Sequence, residues 1–181
     1  MTADVSVDPA GQAGLSPPAA TLGRLGRAGG LLMISDGTVT PMLEYLTGER
    51  LTTSGLSHSE MPAHSADAVA LGSPADCTLI RRTTDLVGAE TGALYVRASS
   101  VVAVDVLPSA LGRDLLHTRE PIGRLMRLHR VESRREHVRW AVPDEPEGAV
   151  RASRRYRIIV GGIPALLIDE SFSAACFEMN G

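Results

Sequence analysis

The side chains best suited to chemistry in this 181-residue chain are one glutamate and a few arginines set among apolar neighbours. Ile163-Pro164-Ala165-Leu166-Leu167-Ile168-Asp169-Glu170-Ser171-Phe172 has the composition of a strand. Alternation then puts Leu166, Ile168, Glu170 and Phe172 on one face. A carboxylate on an apolar face has its pKa raised by desolvation unless a cation or a donor compensates. The other reading is a rim glutamate in an ordinary ion pair. The run Arg154-Arg155-Tyr156-Arg157 on the preceding strand supplies candidate cations. Arg155 and Arg157 share one face and Arg154 takes the other, so only one of these sets can meet a ligand from that strand. A second pair, Arg81-Arg82, lies earlier. Arg82 shares parity with Ile80 and Leu86, whereas Arg81 shares it with Leu79 and Asp85, which makes Arg82 the better inward cation. A guanidinium fork in such a place suits a carboxylate, which it binds bidentately.

Composition removes several other chemistries. All eighteen basic residues are arginine. Without lysine there is no Schiff base, no covalently held pyridoxal phosphate and no P-loop lysine. Cys77 and Cys176 have no metal-binding cluster around them and read as buried or partly buried thiols. His58 and His64 lack helical metal-ligand spacing and read as solvated. The net charge of −3 and the 3% aromatic content argue against nucleic acid. The arginine-rich run from Arg124 to Trp140 is interrupted by Glu132 and Glu136 and is expected to be solvated and ion-paired. Apolar runs are too short to cross a bilayer, and the first 28 residues have neither the basic nor the apolar region of a secretory signal. A soluble, cytoplasmic protein is expected.

The elements that must position these residues follow from local patterns. Residues 1–28, rich in Ala, Gly and Pro, are expected to be a mobile tail, and 29–181 a single domain. Thr40 could cap a short helix with Pro41 at its first position, carrying Met42, Leu43 and Leu46 and ending near Gly48. Leu51 to Ala75 shows no clear period and reads as a loop with at most a helical turn. Cys77 to Leu107 reads as a hairpin turning at Gly88-Ala89-Glu90-Thr91-Gly92, and Pro108 to Leu116 as a short helix. A second hairpin turns at Gly161-Gly162, which can supply positive φ values. Gly123, after Glu120-Pro121-Ile122, permits a close approach by another backbone or a ligand.

Five motifs occur in a telling order: Ser35-Asp36-Gly37-Thr38-Val39-Thr40, Ile80-Arg81-Arg82, Glu120-Pro121-Ile122-Gly123-Arg124, Arg154-Arg155-Tyr156-Arg157, and Gly162-Ile163-Pro164 through Glu170-Ser171-Phe172. Together they resemble the chorismate pyruvate-lyase family from Leu31 to Phe172. The resemblance implies an α+β fold, an antiparallel sheet of about six strands with helices packed against it and helix-turn flaps over a ligand pocket. It also implies that an arginine and two backbone amides hold a ring carboxylate while a glutamate bonds the ring hydroxyl. On matching positions these are Arg82, or Arg81 with the other hairpin alignment, the amides of Val39 and Ile122 beside Gly123, and Glu170. Val39 stands where the best-known members carry methionine. Arg154 or Arg155 would hold the enolpyruvyl carboxylate. The implied activity is a lyase that converts chorismate to 4-hydroxybenzoate and pyruvate with no cofactor, no metal and no nucleic-acid or membrane partner. Two alternatives follow from the same resemblance: a lyase acting on another chorismate-derived or cyclohexadienyl acid, and a non-catalytic domain that binds an aromatic acid. The superfamily also holds effector-binding domains of transcription regulators, although no helix-turn-helix pattern occurs in the tail.

Overall fold

The computed structural model describes residues 19–143 and 150–178. In chain order these form helices α1 (Ala19–Gly23), α2 (Gly26–Ile34) and α3 (Val39–Thr47), strand β1 (Leu51–Glu60), helix α4 (Ala66–Leu71) and strands β2 (Leu79–Gly88) and β3 (Leu94–Ala103). Helices α5 (Ser109–His117) and α6 (Ile122–Leu128) follow, then strands β4 (Ser133–Ala141), β5 (Val150–Val160) and β6 (Ile163–Ser173). The strands make one antiparallel sheet in the order β1-β2-β3-β6-β5-β4. This is the expected α+β arrangement.

Alternation divides the sheet into two unlike faces. On one face α2 and α3 bury Leu32, Met33 and Leu43 against Leu86, Val96 and Phe172. Further along the same face α5 and α6 bury Leu111, Leu115 and Leu125 against Ile158, Leu166 and Ile168. The opposite face is covered at one end by α4, whose Ala68 and Leu71 meet Val101 and Leu167. Ser65 caps α4 by accepting from the Ala68 amide at 3.2 Å. Between the two apolar clusters of the first face the sheet carries polar side chains, and the two helix pairs leave a gap above them.

Three expectations change. The segment read as a loop from Leu51 to Ala75 contains β1 and α4. β1 is an edge strand whose side chains are mostly exposed, so it has no buried face to impose alternation, and Gly55 at φ 59° marks a bulge in its register with β2. Helix α3 starts two residues earlier than expected, with Thr38 rather than Thr40 at its N-cap. Of the expected tail, residues 1–18 lie outside the described residues, but residues 19–28 hold α1, a turn and the start of α2. Leu25 is buried there and Leu22 packs beside it in the cluster that includes Phe177, which orders this stretch.

Glu49 ties the α3–β1 corner to the β2–β3 turn. Its carboxylate accepts from the Thr91 hydroxyl at 2.7 Å, the Tyr95 hydroxyl at 2.8 Å, and the amides of Glu90 and Thr91 at 3.0 and 3.2 Å. A Cβ at Gly88 would fall 2.2 Å from Glu49 Oε1, so the turn needs glycine for this approach. Those donors, led by the hydroxyls of Thr91 and Tyr95, hold the Glu49 carboxyl down at about 2. The folded value is below the ~4.3 of an unfolded glutamate, so its stabilisation is complete above that pH and is lost as pH falls towards 2. Glu49→Gln is therefore expected to unfold at lower urea than the wild type at pH 6. The gap should narrow between about pH 4.3 and pH 2, and a gap that stays constant across that range would contradict the assignment.

Candidate active site

Strand register places the polar residues of the helical face in adjoining rows. One row runs Thr84, Ala98, Glu170, Arg154 and Trp140 across β2, β3, β6, β5 and β4. The next runs Arg82, Ser100, Ile168, Tyr156 and His137, and a third ends in Ile158 and Arg135. Arg82, Thr84, Ser100, Tyr156, Glu170 and Arg135 line one cavity.

The compensation that a carboxylate on this face requires is present. Arg154, its side chain fully buried, donates from Nε to Glu170 Oε2 at 2.7 Å, and the Tyr156 hydroxyl donates to Oε1 at 3.0 Å. The Arg154 guanidinium also lies 5.0 Å from the Tyr156 ring centroid and 5.6 Å from that of Phe172. Burial, and next the Glu170 charge, push the Tyr156 phenol above its ordinary pKa, so it stays a donor. Arg82 differs. It is 1% exposed, and its Nη2 donates to the Glu120 carbonyl at 2.8 Å, but its Nε and Nη1 are buried with no hydrogen-bond partner. Burial lowers its pKa, the direction for a desolvated cation without a counter-ion. Two free guanidinium nitrogens facing a cavity suit a carboxylate.

The roof consists of the α2–α3 and α5–α6 connections. Val39 and Ile122 are the first residues of α3 and α6 and both line the cavity. Their amides, in the first turn of a helix, have no intrahelical acceptor. A Cβ at Gly123 would fall 2.1 Å from Thr38 Cγ2, so the two connections meet there. Arg124 joins them again through Glu44 at 3.1 Å.

Thus Arg82, Glu170, Val39, Ile122 and Gly123 surround one space. Arg81 and Arg155 do not join them. Parity sends both to the opposite face, where they hold the two oxygens of Asp67 at 2.5 Å. Arg154 sits behind Glu170 rather than on the cavity wall, with Nη1 donating to the carbonyls of Leu32 at 2.7 Å and Ser35 at 2.9 Å. Sequence reading missed Arg135. Alternation separates Arg135 and His137 from Arg134 and Glu136, but only the pairing with β5 says which set faces the cavity. Elsewhere in the arginine run, Arg124 pairs with Glu120, and Glu136 with Arg134 and Arg157, as expected of an ion-paired segment. Among the described residues no group of three or more His, Cys, Asp or Glu could hold a metal ion, and no helix is long and apolar enough to cross a membrane.

A family model described as chorismate pyruvate-lyase Rv2949c-like matches residues 33–179. The chain belongs to that family. Similar relatives of this chain include the chorismate pyruvate-lyase of Mycobacterium leprae, 28% identical over 82% of this chain and 75% of the relative. The chorismate pyruvate-lyase of Mycobacterium tuberculosis is also 28% identical, over 82% and 80%. Among solved structures, PhnF from Mycobacterium smegmatis superposes with a TM-score of 0.57 at 11% identity, covering 81% of this chain and 68% of PhnF. The C-terminal domain of the histidine utilization repressor from Pseudomonas syringae gives 0.51 at 17% identity, covering 73% and 97%. At these identities the likeness to both is one of fold.

The buried pair yields a stability test of the site. Glu170→Leu leaves the Arg154 guanidinium buried without its counter-ion and should lower the unfolding free energy by about 3–5 kcal/mol. Adding Arg154→Met should recover part of that loss, because the desolvated charge is gone. Urea unfolding of the two single variants and the double variant checks this, and strictly additive losses would contradict the pairing.

Proposed function

We propose that this protein is a cofactor-independent carbon–oxygen lyase that converts chorismate to 4-hydroxybenzoate and pyruvate. The observation that carries this reading is Arg82, a buried guanidinium with Nε and Nη1 unpartnered on the wall of a cavity that also presents Glu170. Arg82 stands on β2 and Glu170 on β6, one row and two strand spacings away, about 10 Å across the sheet. That interval suits a six-membered ring with its carboxylate at one end and its hydroxyl opposite. Arg82, with the first-turn amides of Val39 and Ile122, would take the ring carboxylate. Glu170, its orientation held by Arg154 and Tyr156, would accept from the ring hydroxyl.

In the reaction the ether bond at ring carbon 3 breaks, the hydrogen at carbon 4 is lost, and the enolpyruvyl methylene gains a proton to give pyruvate. The ring becomes aromatic, which supplies the driving force. The protein's work is then orientation and stabilisation of charge on the departing oxygen. Membership in a family described as chorismate pyruvate-lyase, and relatives bearing that name, support this reading.

Incubation with chorismate, followed by mass spectrometry of pyruvate and aromatic products, tests it. Equimolar pyruvate and 4-hydroxybenzoate are expected. Arg82→Ala should reduce kcat/KM by about two orders of magnitude or more, the usual consequence of removing one partner of a buried charge-assisted contact. Full pyruvate release by that variant would overturn the carboxylate assignment. Chorismate binding by the wild type without product would instead make the site a binding site.

A further inference from the structure

We propose that Arg135 is a second carboxylate clamp and gives the cavity its preference for a dianion over a monoanion. The inference deepens the reading of the site given above and rests on it for the natural substrate, while its test does not.

The cavity wall carries Arg82, Arg135 and Glu170. Glu170 is matched by Arg154, so that pair contributes no net charge. His137, in the same row as Tyr156, has its pKa lowered by burial first and then by Arg154 and Arg135, so it adds no positive charge near neutral pH. Two guanidiniums therefore remain uncompensated. Among the described residues no carboxylate pairs with either Arg82 or Arg135, and each has a buried Nε without a partner. A monoanion would satisfy one of them.

Geometry separates their tasks. Arg82 enters from β2 and Arg135 from β4, the edge strand at the far side of the sheet. Arg135 reaches inward over β5, where its guanidinium lies 5.7 Å from the Tyr156 ring centroid, and its Nη1 donates to the Asp36 carbonyl. That bond anchors it to the α2–α3 connection, as the Glu120 bond anchors Arg82 to the other connection. Arg154, the cation from β5 on this face, gives Nε to Glu170 and Nη1 to three main-chain carbonyls; its Nη2 is buried without a partner, but its charge is matched by Glu170 and it does not line the cavity. Arg155 is on the opposite face. Arg135 is thus the guanidinium left for a second carboxylate, one carried on a substituent of the ring rather than on the ring itself.

Two stable probes separate the clamps by calorimetry. 3-Methoxybenzoate has a ring carboxylate alone, and 3-(carboxymethoxy)benzoate adds a second carboxylate through an ether. The wild type should bind the dianion more tightly. Arg135→Gln should weaken the dianion by about 10- to 100-fold and leave the monoanion within about twofold, whereas Arg82→Gln weakens both. Arg135→Lys should restore part of the preference. If Arg135→Gln keeps the preference or weakens both probes equally, or if the wild type has no preference, the proposal is overturned. With chorismate, Arg135→Gln should raise KM while inhibition by 4-hydroxybenzoate is unchanged. A wild type that does not turn over chorismate would refute the proposed reaction, and the probe comparison would still decide the role of Arg135.

Discussion

The buried pair of Arg154 and Glu170 is the interaction on which the arrangement of this protein turns. The two residues face each other directly across β5 and β6, near the centre of the sheet, where a lone charge would be very costly. Arg154 distributes its donors between Glu170 and the carbonyls at the end of α2, so the same guanidinium that neutralises the carboxylate also ends the helix over it. Displacing α2 would strand those donors, and losing the β5–β6 register would separate the pair.

The other two arginines of this face repeat the motif at the edges of the cavity. Arg82 donates to the Glu120 carbonyl and Arg135 to that of Asp36, so each roof connection is tied to the sheet by a guanidinium that still has donors left. Main-chain carbonyls offer partial satisfaction without cancelling charge. The result is a pocket whose walls hold positive charge in place while apolar clusters on either side exclude water, conditions under which a carboxylate is bound more strongly than at an exposed surface. The opposite face shows the contrast. There Arg81 and Arg155 share Asp67, and Arg97 is matched by Asp85 at 2.9 Å, so its charges are spent on one another.

Residue by residue, what could be read early was what depends on near neighbours in the chain. The Gly161-Gly162 turn, the β2–β3 hairpin and the helix after Pro108 all announce themselves within a dozen residues. Glu170 was legible because strand alternation is strict, and Arg82 was preferred to Arg81 for the same reason. β1 was not legible, because an edge strand with few buried side chains draws its stability from backbone pairing with β2 and needs no hydrophobic pattern of its own. The helical stretch before Gly29 was hidden by its glycines and alanines, and only packing around Leu25 and Phe177 orders it.

Alone, the amino-acid sequence determined the α+β class, the two hairpins, the face on which Glu170 lies and the membership of a family, since periodicity and motif order are properties of a linear chain. Only the tertiary structure decided which arginines share a cavity. That choice depends on strand register and on which face the helices cover, both of which bring together residues more than a hundred positions apart, as Arg154 and Leu32 are. It moved Arg81 and Arg155 to the far face, set Arg154 behind Glu170, and brought Arg135 to the cavity from within a charged run whose alternation does not say which side is in.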